Sequence, residues 1–286
     1  MHEVQIIQAT SADVDEMQER RARDAHEVAL WRYLTSTAPS GVHVARDADS
    51  LVGVGFAHEN DDDWYFSECF IEESFRNGGL ASALLRAVAG PAAEDVTRSG
   101  MAAASDFAGL GLYAGNGVAL DTPIFRVTGM LPDERQRAQM AAGDYRFTFE
   151  PIDCMRQRMA LEAIDRDVRG LGRSKDHAFW NEAARGTAIF LKGEFVAYAY
   201  AWPNGTIGPL ACSSGAYVRQ VVALALQNAV EALGISWVQF LIPGTNTRAL
   251  RSLLRSGLRI EAAYVYGSDL RNVDMSRYIG FHPWLF

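Results

Sequence analysis

Between Phe66 and Leu85 the chain reads Phe-Ser-Glu-Cys-Phe-Ile-Glu-Glu-Ser-Phe-Arg-Asn-Gly-Gly-Leu-Ala-Ser-Ala-Leu-Leu, a strand that passes through a glycine-bearing loop directly into an amphipathic helix. That junction suits an anion. Glycines let the backbone approach a ligand closely, several N–H groups can point at one oxygen cluster, and the helix dipole adds positive potential without a lysine. The Gly-Lys-Ser/Thr of a nucleotide-hydrolysing loop is absent, and so is the GxGxxG of a dinucleotide site. No cluster of His, Cys and acidic residues has metal-ligand spacing, so no metal is expected.

The elements that position this loop follow from pattern. Val4 to Ile7 alternates as a short strand, and Thr10 to Asp13 can cap a helix beginning near Val14, with polar helices filling 13–36. Val42 to Ala45 and Leu51 to Phe56 flank the polar turn Arg46 to Ser50 and predict a hairpin. A further strand runs from Trp64 to Ile71, and a helix from Leu80 to Ala89 places Leu80, Leu84, Leu85 and Val88 on one face. The same order returns after a polar, helical joint at Leu131 to Gly143: a strand from Tyr145 to Ile152, helical 153–169, a hairpin of Thr187–Leu191 with Phe195–Tyr200, a strand from Thr206 to Ala211 and a helix carrying Val218, Val221, Val222, Leu226 and Leu233. Apolar strands near Ile124–Val127 and Ala262–Tyr266 close the two halves, which reads as a diverged internal duplication.

Arg76-Asn77-Gly78-Gly79-Leu80-Ala81 fits (Arg/Gln)-x-x-Gly-x-(Gly/Ala). With the preceding strand and following helix, it resembles the acetyl-CoA loop of the GNAT acetyltransferase superfamily. The resemblance spans most of the chain as two copies, of which only the first keeps the loop. It implies an α/β (α+β) fold of two tandem domains, each a mixed, mostly antiparallel sheet flanked by helices. The first would cover 1–135 and be catalytic; the second would cover 144–286. It also implies acetyl-CoA as cosubstrate, with Phe70 and Ile71 at the pantetheine arm, Arg76, Asn77, Gly78, Gly79, Leu80, Ala81 and Ser82 at the pyrophosphate, and a backbone N–H near Ile71 as oxyanion donor.

Ser105 to Gly117 resembles the family's N-x-x-A-x-x-L-Y-x-x-x-G pattern, with Asp106 in place of Asn and Gly109 in place of Ala. This puts Tyr113 where a phenol can protonate the departing thiol, or else pack between helix and sheet with its hydroxyl satisfied by backbone. An attacking amine must also lose a proton. Glu68, which simple alternation sets on the same strand face as Phe66 and Phe70, can take it directly or through water, or merely point to solvent; Asp61, Asp62, Asp63, Glu72 and Glu73 are alternatives.

In the second copy the loop motif is missing, only Gly215 remains, and Leu253 stands at the tyrosine position. Asp165, Gly170, Arg173, His177, Phe179 and Trp180, together with Ile207 to Ala211, are similar to the C-terminal domain of bacterial tandem acetyltransferases. His177, Phe179 and Trp180 can line an interface pocket or anchor a core; His26, Trp31 and Tyr33 can touch an acceptor or simply pack. The apolar ending Phe281 to Phe286 is expected to dock, most simply within the chain.

Composition bounds the rest. At 286 residues, with 49% hydrophobic and 22% charged residues, the chain is long enough for two globular domains. Residues 1–135 hold 10 Lys/Arg against 22 Asp/Glu, whereas 136–286 hold 17 against 13. The acidic first half disfavours nucleic acid and either suits an amine acceptor, small-molecule or peptide, or is simply a solvated acidic surface. Cys69, Cys154 and Cys212 form no disulfide framework, no secretory or membrane-spanning segment is expected, and a reducing cytoplasm fits. The resulting expectation is an N-acetyltransferase working through a ternary complex. An acyl-CoA-binding or protein-interaction module without turnover is the other class.

Overall fold

Thr10 and Asp13 cap one another: Thr10 N–H donates to Asp13 Oδ2 at 2.7 Å and Asp13 N–H donates to Thr10 Oγ1 at 3.3 Å. The first helix therefore starts at Ser11, three residues before the expected Val14. The computed structural model describes residues 4–21, 24–37, 41–60, 63–76, 78–89, 97–270 and 273–286. The first half runs β1 (Gln5–Gln8), α1 (Ser11–Arg21), α2 (Ala25–Thr37), β2 (His43–Asp47), β3 (Ser50–Asn60), β4 (Asp63–Ile71), α3 (Leu80–Ala89), β5 (Thr97–Ala103), α4 (Phe107–Gly115) and β6 (Leu120–Met130). After α5 (Glu134–Ala141) the same order repeats as β7 (Phe147–Pro151), α6 (Arg158–Arg169), α7 (Ser174–Ala183), β8 (Arg185–Leu191), β9 (Glu194–Ala201), β10 (Ile207–Cys212), α8 (Val218–Leu233), β11 (Trp237–Pro243), α9 (Thr247–Arg255) and β12 (Arg259–Ser268), closed by the two-residue β13 (Tyr278–Ile279).

The two halves exchange strands. One sheet has the order β1-β2-β3-β4-β5-β12-β6-β11, the other β13-β10-β9-β8-β7. β12 pairs antiparallel with both β5 and β6, and β6 pairs in turn with β11. Each half thus lends its last long strand to the other, and β6 and β12 lie side by side at the centre of the exchange. All four strands satisfy their backbone groups only in this shared arrangement.

Burial follows the same plan. Leu85, Val88, Phe66 and Tyr113 form a small core under α3 and α4, and α8 fills a second around Val221, Val222 and Leu226. The third core joins the halves: Met17, Trp31, Leu34 and Phe56 from the first pack with Trp180, Tyr198, Tyr200, Phe281 and Leu285 from the second. A seam built of such large apolar side chains makes the two halves one mechanical unit. Among the described residues, no helix is long and apolar enough to cross a membrane.

Candidate active site

The loop after β4 is held by its own backbone. Glu72 N–H donates to Val52 O at 2.9 Å, Phe75 N–H to Glu72 O at 2.9 Å, and Arg76 Nε to Ile71 O at 3.1 Å. α3 then begins, and its first internal bond is Ala83 N–H to Gly79 O. The N–H groups of Gly78, Gly79, Leu80 and Ser82 donate to no described residue, which leaves the start of a ten-residue helix with donors to spare. Gly79 sits at φ +77°, where a side chain is strained, and a Cβ at Gly78 or Gly79 would meet nothing within 4 Å. The glycines therefore face open space rather than protein. Asn77 lies outside the described residues, as do Asp61 and Asp62. Phe70, Ile71, Arg76, Gly78, Gly79, Leu80, Ala81 and Ser82 form one continuous run from the end of β4 into α3.

β4 and β5 form a fork beside this loop. They pair in parallel only from Asp63↔Thr97 to Phe66↔Gly100. Beyond Gly100, β5 stays with β12 while β4 continues to Ile71 along β3, so the strands part and leave a notch. N–H groups alternate between the two edges of a strand; since Glu72 N–H turns to β3, Ile71 N–H turns toward the notch. Tyr113 stands at the apex. Its hydroxyl is 3.5 Å from the carbonyl of Phe66, the last residue of β4 to pair with β5. Its ring lies against Gly100, where a Cβ would be 3.4 Å from Cε1. Burial above all, with the Glu68 charge adding, pushes its pKa up, so the phenol stays protonated at neutral pH. Asp106, which replaces the Asn of the resembling pattern, still caps α4 through Gly109 N–H at 2.9 Å.

Glu68 does not share a face with Phe66. Phe56 pairs with Glu68 but Ala57 with Phe66, so Ser67 is an extra residue, a β-bulge that turns the strand over. Phe66 packs with Tyr113 on the α3–α4 side, whereas Glu68 and Phe70 meet Arg21 of α1 on the opposite side. Arg21 donates to Glu68 Oε2 from Nη2 at 2.9 Å and from Nε at 3.2 Å, and its guanidinium lies 4.5 Å over the Phe70 ring. The other carboxylate oxygen accepts Cys69 N–H at 3.1 Å. Of the alternative carboxylates, Glu72 pairs with Arg20 at 3.0 Å, Glu73 starts the turn that follows β4, and Asp63 is buried at the closed end of the fork against Ser99 and Thr97.

Residues 7–114, which contain loop, fork and Tyr113, match the model of the Acetyltransferase (GNAT) family. This segment belongs to the GNAT family. Solved structures carry the fold across both halves. A Pyrococcus horikoshii protein designated an acetyltransferase aligns at TM-score 0.76 and 17% identity over 99% of this chain and 95% of its own. A tandem GNAT protein from the clavulanic acid biosynthesis pathway aligns at 0.61 and 12% over 93% and 98%. A GCN5-related N-acetyltransferase from Sphaerobacter thermophilus aligns at 0.61 and 17% over 96% and 98%. No curated protein sequence matches the chain. The chain has the tandem GNAT fold.

The second GNAT-like half has a corresponding fork, and it is filled. β10 and β11 meet in parallel only at Thr206↔Gln239, and between them runs β13, paired with β10 at Leu210↔Ile279 and Ala211↔Tyr278. Gly280 N–H donates to Leu241 O of β11 at 2.7 Å, completing the plug. The loop after β10 is also covered: a Cβ on Gly215 would lie 2.8 Å from Arg248 Nη1, and Arg277 donates to Ser213 O at 2.8 Å.

Beyond the plug, the tail turns back between the halves. Phe281 stacks on Trp202 with ring centroids 4.1 Å apart, so the ending docks within the chain. A cleft of about 250 Å³ opens there, lined by Arg21, His26, Tyr264, His282 and Trp284 among others. His26 reaches it, but Trp31 is fully buried and the Tyr33 hydroxyl donates to Asp176 at 2.6 Å. His177 and Trp180 are core: the imidazole bridges Asp165 and Tyr200 at 2.8 Å each, and Phe179 stacks on Tyr33. Sequence reasoning missed Arg21 and Tyr264. Neither lies in a motif, and only the bulge and the strand exchange bring them to the notch.

Proposed function

We propose that the protein is an acetyl-CoA-dependent N-acetyltransferase in which a primary amine attacks the thioester directly in a ternary complex, with residues 1–135 as the catalytic unit and 144–286 as a partner unit of degenerate cofactor loop. The observation that carries this reading is the fork between β4 and β5, with Tyr113 at its apex and, at its mouth, a helix start whose Gly78, Gly79, Leu80 and Ser82 N–H groups donate to no described residue.

The loop fits the group it would hold. The N–H groups of Gly78 to Ser82, with Asn77 in the same run and the Arg76 guanidinium nearby, suit a diphosphate, and the empty space at both glycines leaves room for its oxygens. Phe70 and Ile71 line the pantetheine arm, and Ile71 N–H is available to an oxyanion. Acetyl-CoA, when bound, supplies an acetyl group activated as a thioester. A C–N bond then forms to the amine as the C–S bond breaks. Tyr113, held protonated by burial, donates its O–H to the departing sulfur. The amine approaches from the α1–α2 side, where Glu68 lies. Glu68 Oε2 accepts from Arg21, while Oε1 accepts Cys69 N–H and keeps a further lone pair, so this carboxylate takes the proton directly or through a water.

Calorimetry of CoA, together with thiol release from acetyl-CoA over an amine panel, tests the reading. CoA binding with amine-dependent thiol release is expected. Binding without turnover on any amine would leave an acyl-CoA-binding module instead.

A further inference from the structure

The cleft between the halves meets the fork at its open side. Arg21, which covers Glu68 and Phe70 on β4, lines it, and so does Tyr264 of β12, which pairs with Ala103 at the end of β5. Its floor is the stretch of shared sheet created by the exchange, with Tyr264 on β12, Arg126 on β6 and Gln239 on β11. Neighbouring strands lie about 4.8 Å apart, so Arg126 stands roughly 10 Å across the sheet from β5. Asp24 and Glu27, at the start of α2, line the same wall as Arg21.

The two ends differ in charge. On the Arg21 wall the carboxylates Asp24 and Glu27 face the cleft, Arg21 is itself paired with Glu68, and His282 Nε2 lies 3.7 Å from Glu27 Oε1, a balance that favours an ammonium. Arg126 at the other end has little to hold it. Its Nε is 3.2 Å from Glu261 Oε2 but makes no hydrogen bond, and both side chains of that pair are exposed, 38% and 55%. Pairs of that kind are weak and readily exchanged for a better-aligned carboxylate.

We propose that this cleft binds the acceptor, and that the acceptor is a small zwitterion whose reacting amine lies beside Asp24 and Glu27 and whose carboxylate, several bonds away, is held by Arg126. The inference rests on the acetyltransferase reading above. A carboxylate a few methylenes from the amine spans the distance, whereas an amine without an anionic group leaves Arg126 unused.

CoA calorimetry separates the two layers, because failure to bind CoA overturns the acetyltransferase reading itself. With CoA bound, 6-aminohexanoate, hexylamine and glucosamine are titrated in turn, and thiol release from acetyl-CoA is followed with each. The expected result is a kcat/KM at least tenfold higher for 6-aminohexanoate than for the other two. Arg126→Gln should raise the KM for 6-aminohexanoate at least tenfold with CoA affinity unchanged, and Glu261→Gln, which frees Arg126, should lower it. Normal CoA binding with equal use of the amines, with preference for glucosamine, with no amine bound, or with a KM indifferent to both variants would overturn the proposal.

Discussion

The Tyr113 hydroxyl lies 3.5 Å from the Phe66 carbonyl, at the residue where β4 and β5 cease to pair. A bond of that length is weak, so the hydroxyl can turn to a sulfur arriving in the fork without giving up much. Tyr113→Phe keeps the ring packed against Gly100 and removes only the donor. Thiol release at saturating acetyl-CoA and amine should fall about 100-fold, the scale of one lost general acid, with CoA affinity unchanged. Equal turnover in the variant would remove Tyr113 from the chemistry.

Gly79 serves both conformation and space. Gly79→Ala would suffer only the strain of φ +77°, roughly 1 kcal/mol, and should bind CoA more weakly. Gly79→Glu adds bulk and negative charge where the diphosphate would sit, and should abolish binding while the circular dichroism spectrum stays that of the wild type. Calorimetry of CoA on both variants checks this; a Glu variant that binds like wild type would contradict the loop assignment.

One CoA should bind per chain, although the fold is duplicated. Gly280 and β13 occupy the second fork with backbone hydrogen bonds to both of its strands, and Arg248 covers Gly215. A calorimetric stoichiometry of two would show that the plug opens.

Cys69 lies beside the loop, its Sγ 3.9 Å from Ala81 O, and brings a thiol close to the site. Burial, with the Glu68 charge adding, pushes its thiol up to about 12, so it is not a thiolate at neutral pH. Transfer should therefore proceed without an acyl-cysteine. Cys69→Ala should retain kcat within about threefold, a margin that allows for minor repacking. Mass spectrometry of the wild type mixed with acetyl-CoA alone should show no covalent acetyl at this residue.

The elements legible in the sequence are those that depend on local signals; β5 and β11, one arm of each fork, are not among them. Both hairpins, the strand Trp64–Ile71, the helix Leu80–Ala89 and the loop between them carry their alternation, turn residues and helical period within a few positions. Glu68 was misplaced because an inserted residue at Ser67 leaves no trace in alternation, yet reverses every side chain beyond it. The exchange of β6 and β12 was illegible for a different reason. An apolar strand specifies that it needs two neighbours, not which copy supplies them, and β13 is too short to show any period at all.

Burial also sets a pH dependence. His26 is held down at about 4, by desolvation first and by the nearby His282 second, and its Nδ1 faces the Asn204 amide at 2.5 Å. The unfolded chain, with an ordinary histidine near 6.5, takes up this proton earlier than the folded one. The contribution of His26 to stability is thus complete above pH 6.5 and is lost as pH falls toward 4, with a slope of about 1.4 kcal/mol for each pH unit between those values. Urea unfolding at pH 7, 5.5 and 4.5 should show the wild type losing more stability than His26→Phe over that interval. Parallel losses would contradict the assignment.

A crystal structure with CoA bound tests the central claim most directly. The diphosphate should lie on the N–H groups of residues 78–82, the pantetheine arm should enter between β4 and β5, and the thiol should end near Tyr113 Oη. CoA found against β10 and α8 of the second half, or a first-half fork closed by protein with its loop N–H groups turned inward, would contradict it.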